Sequence, residues 1–224
     1  MPFDPDPRPP LRLRRSEDGT APRFPTEVHL DADGSRLRIT FRCRDDRRWA
    51  TLDRRDDPLW QEEVVEVFIA PGAADPTTYF ELEVNPLGAL FDARVHNPHG
   101  RRETLRVDTS WDCPGIDCRV GSTGDSNDWW AELTLPWRSL LEPSDREIPG
   151  VWRVGFFRVE RPDGAGHPEA DEYSCWSPTL RRPADFHVPE RLGFLLLDGT
   201  PDPRAHGPRV FGTELPAVRL PTAP

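Results

Sequence analysis

The chain has 224 residues, enough for one large β-sandwich or two small domains, and 36% of them are hydrophobic. Its 27 prolines and 16 glycines favour short strands joined by turns over long helices. The formal net charge of −10 opposes a phosphate backbone, so no nucleic-acid partner is expected. All 29 basic residues are arginine, which excludes Schiff-base catalysis by lysine and the phosphate-binding lysine of Walker motifs.

Proline and charge dominate both ends of the sequence. This composition predicts extended or disordered arms over residues 1–22 and 200–224, around one domain at residues 23–199. No segment has the roughly 20 apolar residues that cross a bilayer, and the N-terminal segment has no apolar stretch of the signal-peptide type. The sequence as written therefore predicts a cytoplasmic protein with no membrane partner, or a secreted protein if a leader has been removed.

Strand patterns follow one another in chain order between the arms. Apolar and polar residues alternate strictly over residues 36–44, which predicts a strand with one buried face. Residues 64–69 contain more apolar side chains, as expected of a central strand. Residues 79–85 and 89–95 alternate again, and the short Pro-Leu-Gly connection between them predicts a hairpin. Further strands are predicted at residues 117–121, 129–135, 152–159 and 193–197, and residues 136–141 predict one short helical turn. The predicted fold is all-β, an antiparallel two-sheet sandwich of jelly-roll or immunoglobulin-like type.

Four of the eight tryptophans differ in their sequence surroundings. Trp137 and Trp152 lie inside apolar patterns and are predicted to be in the core. Trp60 and Trp176 lie in polar, loop-like segments, where an indole can stack against the C–H face of a sugar ring. Trp60 and Trp176 are thus candidates for ligand contact. The alternative is that both indoles pack over the edge of the core.

Polar side chains on the predicted strands can supply hydrogen bonds to such a ligand. Glu81, Glu83 and Asn85 occupy the face opposite the core residues of their strand, and Glu66 joins them if its strand is the neighbour. Arg158 and Arg161 lie near the end of the strand at residues 152–159. The guanidinium group of each can donate two parallel hydrogen bonds to a ligand.

Several segments resemble the family 9 carbohydrate-binding modules and their DOMON-like relatives. They are residues 57–69, 79–88, 173–178 and 186–193 with the region of Arg158, and the resemblance covers roughly residues 24–198. The resemblance implies a sandwich that holds a terminal sugar between two tryptophans, matched by Trp60 and Trp176, with Glu66 and Asn85 binding hydroxyls. The chain departs from the family at Glu83, where the modules tend to have arginine, and at Tyr173, where they tend to have asparagine.

The resulting hypothesis is non-catalytic binding of a saccharide or sugar conjugate. The predicted ligand-binding residues are Trp60, Glu66, Glu83, Asn85, Arg158 and Trp176. The alternatives are a glycoside-processing enzyme that uses strand-face glutamates, and a protein-interaction module with exposed tryptophans. The sequence does not indicate an oligomeric state.

The histidines, the single methionine and the aspartates of the sequence bear on two cofactors, haem and calcium. Haem is not expected, because Met1 is the single methionine and a bis-histidine site would need loop residues such as His96 and His99. Structural calcium stays open, since Asp45, Asp46, Asp53, Asp56 and Asp57 offer oxygen ligands without an EF-hand spacing.

Overall fold

The computed structural model describes residues 8–124, 126–164, 166–206 and 214–221, which form fourteen strands and five 3₁₀ turns. The strands are β1 Leu11–Arg12, β2 Arg14–Arg15, β3 Thr26–Ala32, β4 Arg36–Cys43, β5 Val64–Pro71, β6 Thr78–Val84, β7 Leu90–His96, β8 Arg106–Asp108, β9 Asp117–Ser122, β10 Trp129–Pro136, β11 Val151–Glu160, β12 Glu172–Cys175, β13 Gly193–Leu197 and β14 Ala217–Leu220. The turns are Leu59–Gln61, Arg102–Thr104, Trp137–Leu140, Pro189–Arg191 and Pro203–His206. No helix among these residues is long and apolar enough to cross a membrane.

The strands form two sheets. The smaller sheet has the order β1-β3-β4-β10-β9, and the larger has the order β14-β13-β11-β5-β6-β7-β8. Strand β12 pairs with the second half of β11 and carries β2 on its other edge. The pairing between β13 and β14 is parallel, and the other pairings between described strands are antiparallel. The predicted all-β, two-sheet sandwich is confirmed.

The main core lies between the two sheets, and strand alternation determines which side chains enter it. Leu37, Ile39 and Phe41 of β4 point into this core from the smaller sheet, as predicted. Trp137 and Trp152 are also fully buried there, with ring centroids 5.0 Å apart, which confirms both core predictions.

A second core covers the outer face of the larger sheet. The side chains that alternate away from the first core, such as Phe68 of β5 and Phe91 of β7, pack here against Leu59, Phe186 and Leu192 from the connecting segments. The larger sheet is therefore buried on both faces. Its polar residues, which the alternation alone would place in water, lie beneath covering loops.

The predicted elements are present with shifts of one or two residues at their ends. The predicted helical turn is the 3₁₀ turn Trp137–Leu140, and four more such turns were not predicted. The arms contribute strands: β1 pairs with β3, β2 pairs with β12, and β14 pairs with β13. Residues 1–7, 207–213 and 222–224 of the predicted arms lie outside the described residues.

Candidate functional site

A cavity of about 410 Å³ opens on the outer face of the larger sheet. Strands β5, β6, β7, β11 and β12 form its base, and the segments around Trp60, Arg102 and Phe186 form its rim. Its lining residues are Trp60, Glu66, Glu81, Phe91, Arg102, Leu105, Val107, Thr109, Val159, Arg161, Tyr173, Ala184, Phe186 and His187.

Three glutamates meet at the base of this cavity. Glu66 on β5 lies opposite Glu83 on β6, and Glu81 stands two residues away on the same face of β6. All three are at most 5% exposed, and their nearest carboxylate oxygens lie within 4.8 Å of one another. Neither oxygen of Glu83 accepts a hydrogen bond of good geometry from the described residues. The strand register thus creates a buried carboxyl triad, of which Glu66 and Glu81 line the cavity.

Burial strongly disfavours ionisation of the triad. Burial raises the pKa of Glu66 and of Glu83 well above the usual range, and the negative charges of neighbouring glutamates add to the shift. Burial also raises the pKa of Glu81, to about 7, while a poorly oriented hydrogen-bond contact with the Glu83 carboxyl and the positive charge of Arg102 oppose the shift. The triad therefore holds protons at neutral pH when no cation is near it.

Trp60 stands at the rim of the cavity on the 3₁₀ turn Leu59–Gln61. Its neighbour Leu59 is fully buried in the second core and anchors the turn, whereas Trp60 is 44% exposed. The indole meets Phe91 edge to face, with ring centroids 5.3 Å apart. Glu62 accepts hydrogen bonds from Thr51 and Leu52, which ties the turn to the preceding loop. Trp60 is thus held in place with much of its ring surface free.

Arg161 connects Trp60 to the other aromatic residues of the cavity. Its guanidinium donates to the backbone oxygen of Trp60 at 3.0 Å, pairs with Asp171 and lies 5.9 Å from the ring centroid of Tyr173. The ring of Tyr173 in turn meets Phe186 edge to face at 6.0 Å. The cavity is therefore surrounded by aromatic rings at several points of its rim.

Two further polar residues, His187 and Arg102, complete the lining. Nδ1 of His187 lies 2.7 Å from the Tyr79 hydroxyl, and burial lowers the pKa of His187 to about 4, so the imidazole is neutral at neutral pH. Arg102 forms an ion pair with Asp185 at 2.9 Å. These two residues make the cavity polar on the side of Glu81.

Trp176 lies on the opposite side of the larger sheet from Trp60. It is 9% exposed, packs on Phe156 in the main core and fits over Gly193, where an added Cβ would lie 2.5 Å from the indole. Alternation is the reason, because Tyr173 and Cys175 face outwards in β12 and Trp176 follows with the opposite orientation. The prediction that Trp60 and Trp176 face each other is wrong for this geometry.

Asn85 and Arg158 also lie away from the cavity. Asn85 directly follows β6 and holds the hairpin: its side chain accepts hydrogen bonds from the amides of Leu87 and Ala89 and donates one to the Leu52 oxygen. Arg158 points into the sandwich from β11, where it is fully buried. Their predicted roles in hydroxyl binding are not supported by their positions, since both side chains are used internally.

Arg158 is the centre of a buried ionic cluster. Its guanidinium pairs with Asp45 at 3.3 Å, with Glu63 at 3.9 Å and with Glu160. A second acidic cluster comprises Asp56, Asp92 and Asp112 around the guanidinium of Arg55. Of the aspartates considered for calcium, Asp45 and Asp56 enter these clusters. An arginine already supplies the positive charge in each, so the residues present do not fit a calcium ion.

The sequence analysis identified Trp60, Glu66 and Glu83, and the structure brings these three to one region. It did not identify Tyr173, Phe186 and His187 as lining residues, although Tyr173 has a detectable signal. Residues 172–175 alternate in the manner of a strand, so Tyr173 and Ser174 lie on opposite faces. Ser174 pairs with Arg158, which points into the sandwich, and Tyr173 therefore points outwards. Phe186 and His187 lie in a segment without periodicity, and no signal in the sequence locates them.

Comparison with known proteins shows the same fold in proteins of very different sequence. No family model matches the chain. An extracellular protein of Arthroderma benhamiae is 29% identical over 144 residues, which cover 61% of this chain and 64% of that protein. The chain thus spans less than two thirds of that relative's length.

Solved structures with similar folds include carbohydrate-binding modules. A candidate carbohydrate-binding protein of Bacteroides uniformis superposes with a TM-score of 0.63 at 16% identity, covering 84% of both chains. A family 9 carbohydrate-binding module of Caldicellulosiruptor kristjanssonii in complex with glucose gives a TM-score of 0.52 at 13% identity, covering 86% of both chains. A family 9 module of the same organism in complex with cellotriose gives a TM-score of 0.52 at 14% identity, covering 88% of this chain and 85% of that one. The chain therefore has the fold of the family 9 modules.

Proposed function

We propose that the protein binds the end of a saccharide chain in the cavity on the outer face of its larger sheet. The observation that carries this proposal is an exposed tryptophan held rigidly beside buried carboxyl groups. Trp60 offers an apolar surface for a sugar ring, and Glu66 and Glu81 offer hydrogen-bond partners for its hydroxyls. The cavity volume of about 410 Å³ is in the ordinary range for small-ligand pockets.

The proposed arrangement keeps one tryptophan of the sequence hypothesis and replaces the other. Trp60 stacks on one side of the sugar, and Tyr173 with Phe186 contacts it from another, while Arg161 fixes the distance between the two groups. Two similar folds, the family 9 modules, hold glucose and cellotriose, which supports a saccharide as the ligand class.

The same carboxyls also suggest glycoside hydrolysis, but their placement favours binding. Hydrolysis uses two carboxyl groups that flank the scissile bond. Glu66 and Glu81 project from the same face of neighbouring strands, so both approach a bound sugar from its underside. This geometry therefore fits hydrogen bonding to one face of a bound sugar better than hydrolysis, which needs an acid and a base on two sides of the scissile bond.

Calorimetric titration with gluco-oligosaccharides tests the proposal. We expect Trp60→Ala to weaken binding by about 30-fold or more, because a central aromatic contact contributes about 2 kcal/mol. Trp111→Ala is the matched control, since Trp111 is a partly buried tryptophan that packs on Phe80 outside this cavity. Equal losses in both variants, or unchanged binding in Trp60→Ala, would contradict the proposed site.

A further inference from the structure

Among the described residues, three carboxyl groups meet at each of three places, and two of these clusters have an internal cation. Arg158 lies among Asp45, Glu63 and Glu160, and Arg55 lies among Asp56, Asp92 and Asp112. In both clusters a guanidinium provides the charge that buried or crowded carboxylates need. In these two clusters an arginine of the protein itself therefore supplies the positive charge that offsets the carboxylates.

The third cluster, the Glu66–Glu81–Glu83 triad, has no such partner among the described residues. The charges of Arg102 and Arg161 act on Glu66, but these two arginines are paired with Asp185 and Asp171. Nε2 of His187 lies 3.9 Å from Glu81, but this imidazole is neutral because burial lowers its pKa. Glu83 is fully buried, and neither of its oxygens is satisfied by a hydrogen bond of good geometry. The triad thus lacks a cation and opens onto the ligand cavity.

We propose that the ligand brings this cation, and that the cavity selects a saccharide end bearing a protonated amino group. The inference rests on the proposed function and specifies its ligand class. An amino sugar combines the two features that the cavity matches: a ring with C–H faces for Trp60 and an ammonium for the carboxyl triad.

The geometry of the triad suits an ammonium ion. An –NH₃⁺ group has three N–H donors and no acceptor, so it needs three acceptors on one side. Oxygens placed about 2.8 Å from such a nitrogen, in its three donor directions, lie about 4.6 Å from one another. The triad oxygens lie within 4.8 Å of one another, which allows this arrangement.

The remaining lining favours an organic cation over a metal ion. Calcium prefers six to eight oxygen ligands, whereas the cavity beyond the triad is lined by the rings of Trp60, Phe91, Tyr173 and Phe186 and by two arginines, Arg102 and Arg161, that are already paired with aspartates. Aromatic faces attract an ammonium ion and the C–H groups beside it. A ligand that places its amino group on the triad therefore also gains the aromatic contacts.

Three trisaccharides that differ in the group at C2 test the inference by calorimetry near neutral pH. They are β-1,4-linked glucosamine, with an ammonium, its N-acetylated form, with a neutral amide, and cellotriose, with a hydroxyl. We expect the glucosamine trisaccharide to bind at least about 10-fold more tightly than cellotriose, because an ammonium forms charge-assisted hydrogen bonds with carboxylates and a hydroxyl does not. Glu66→Gln and Glu83→Gln should each reduce this preference to about twofold or less, with thermal melts confirming that the variants fold.

Control measurements separate this inference from general attraction to an acidic protein. Glu147→Gln removes an exposed carboxylate away from the cavity and should keep the full preference, as should about 0.3 M NaCl. Equal binding of cellotriose and the glucosamine trisaccharide would overturn the inference and leave the proposed function intact. Calcium-dependent binding of cellotriose, lost with EDTA, would overturn it in favour of a metal ion. Failure of all three sugars to bind would refute both.

Discussion

At the scale of single residues, side chains of the same type have different roles in different surroundings. Arg158 and Arg161 are three positions apart near the end of β11, and the sequence analysis assigned Arg158 to the ligand. The structure puts Arg158 inside the sandwich among carboxylates, and puts Arg161 at the cavity beside Trp60. Strand alternation separates them, because an odd spacing in a strand reverses the side of the sheet.

The buried glutamates predict how stability depends on pH. A carboxyl whose pKa is raised on folding stabilises the protein while it is protonated and loses that contribution as pH rises through its folded pKa. Burial raises the pKa of Glu83, of Glu81 to about 7 and of Glu160 to about 7. The free energy of unfolding should therefore fall as pH rises from about 5 through about 7, the folded pKa of Glu81 and Glu160.

Glu83→Gln isolates one contribution to this fall. Glutamine keeps the shape and can donate to Glu81 but cannot ionise, so the variant should be more stable than the wild type at about pH 9, by roughly 1–3 kcal/mol. Urea unfolding at several pH values measures the effect, with Glu147→Gln as a surface control. A variant with the same pH slope as the wild type would show that folding does not raise the pKa of Glu83.

At the scale of elements, the short strand β12 determines which aromatic residue lines the cavity. It pairs with β11 from Phe157 to Glu160, so its outward positions face the cavity and its inward positions face the main core. Tyr173 is an outward residue and Trp176 an inward one. A tyrosine thus occupies the position at the cavity that the sequence analysis gave to Trp176.

This placement predicts opposite effects for substitutions at Tyr173, in β12, and at Trp176, the residue that follows the strand. Tyr173→Ala should weaken saccharide binding by about 10-fold with little change in stability, because a cavity ring contact is lost. Trp176→Phe should cost about 1–3 kcal/mol of stability by leaving a void over Gly193, with little change in affinity. Calorimetry and urea unfolding of both variants separate the effects, and the reverse pattern would restore Trp176 as the ligand contact.

At the scale of the whole molecule, the C-terminal arm is part of the sandwich. Strand β14 lies parallel to β13, and its last residue, Leu220, is buried in the main core opposite Leu197. The composition of residues 200–224 suggests an arm without a core role, yet four of them extend the larger sheet. The sandwich therefore extends beyond the predicted domain boundary at residue 199.

Leu220→Ala tests the contribution of this strand. We expect a loss of about 2–4 kcal/mol, since a buried leucine is removed from a packed core. The neighbouring Arg219→Ala, an exposed change in the same strand, should cost less than about 0.5 kcal/mol. Thermal unfolding compares the two, and equal melting temperatures would show that β14 does not stabilise the core.

The sequence by itself determined the fold class and most of the strands. Alternating patterns at β4, β6 and β10 are local, because each strand must separate apolar from polar faces wherever it lies. Trp60 and Glu66 were also identifiable, since an exposed aromatic residue and a polar side chain in an apolar run are unusual in any context.

Only the tertiary structure decided which residues meet. The burial of Glu81 and Glu83 depends on loops that cover the outer face of the larger sheet, and those loops have no periodic pattern. The separation of Trp60 from Trp176 depends on the pairing of β12 with β11, which the alternation at residues 172–175 does not by itself specify. Contacts between distant segments are set by strand pairing and packing, and these are properties of the assembled sheets rather than of any local segment.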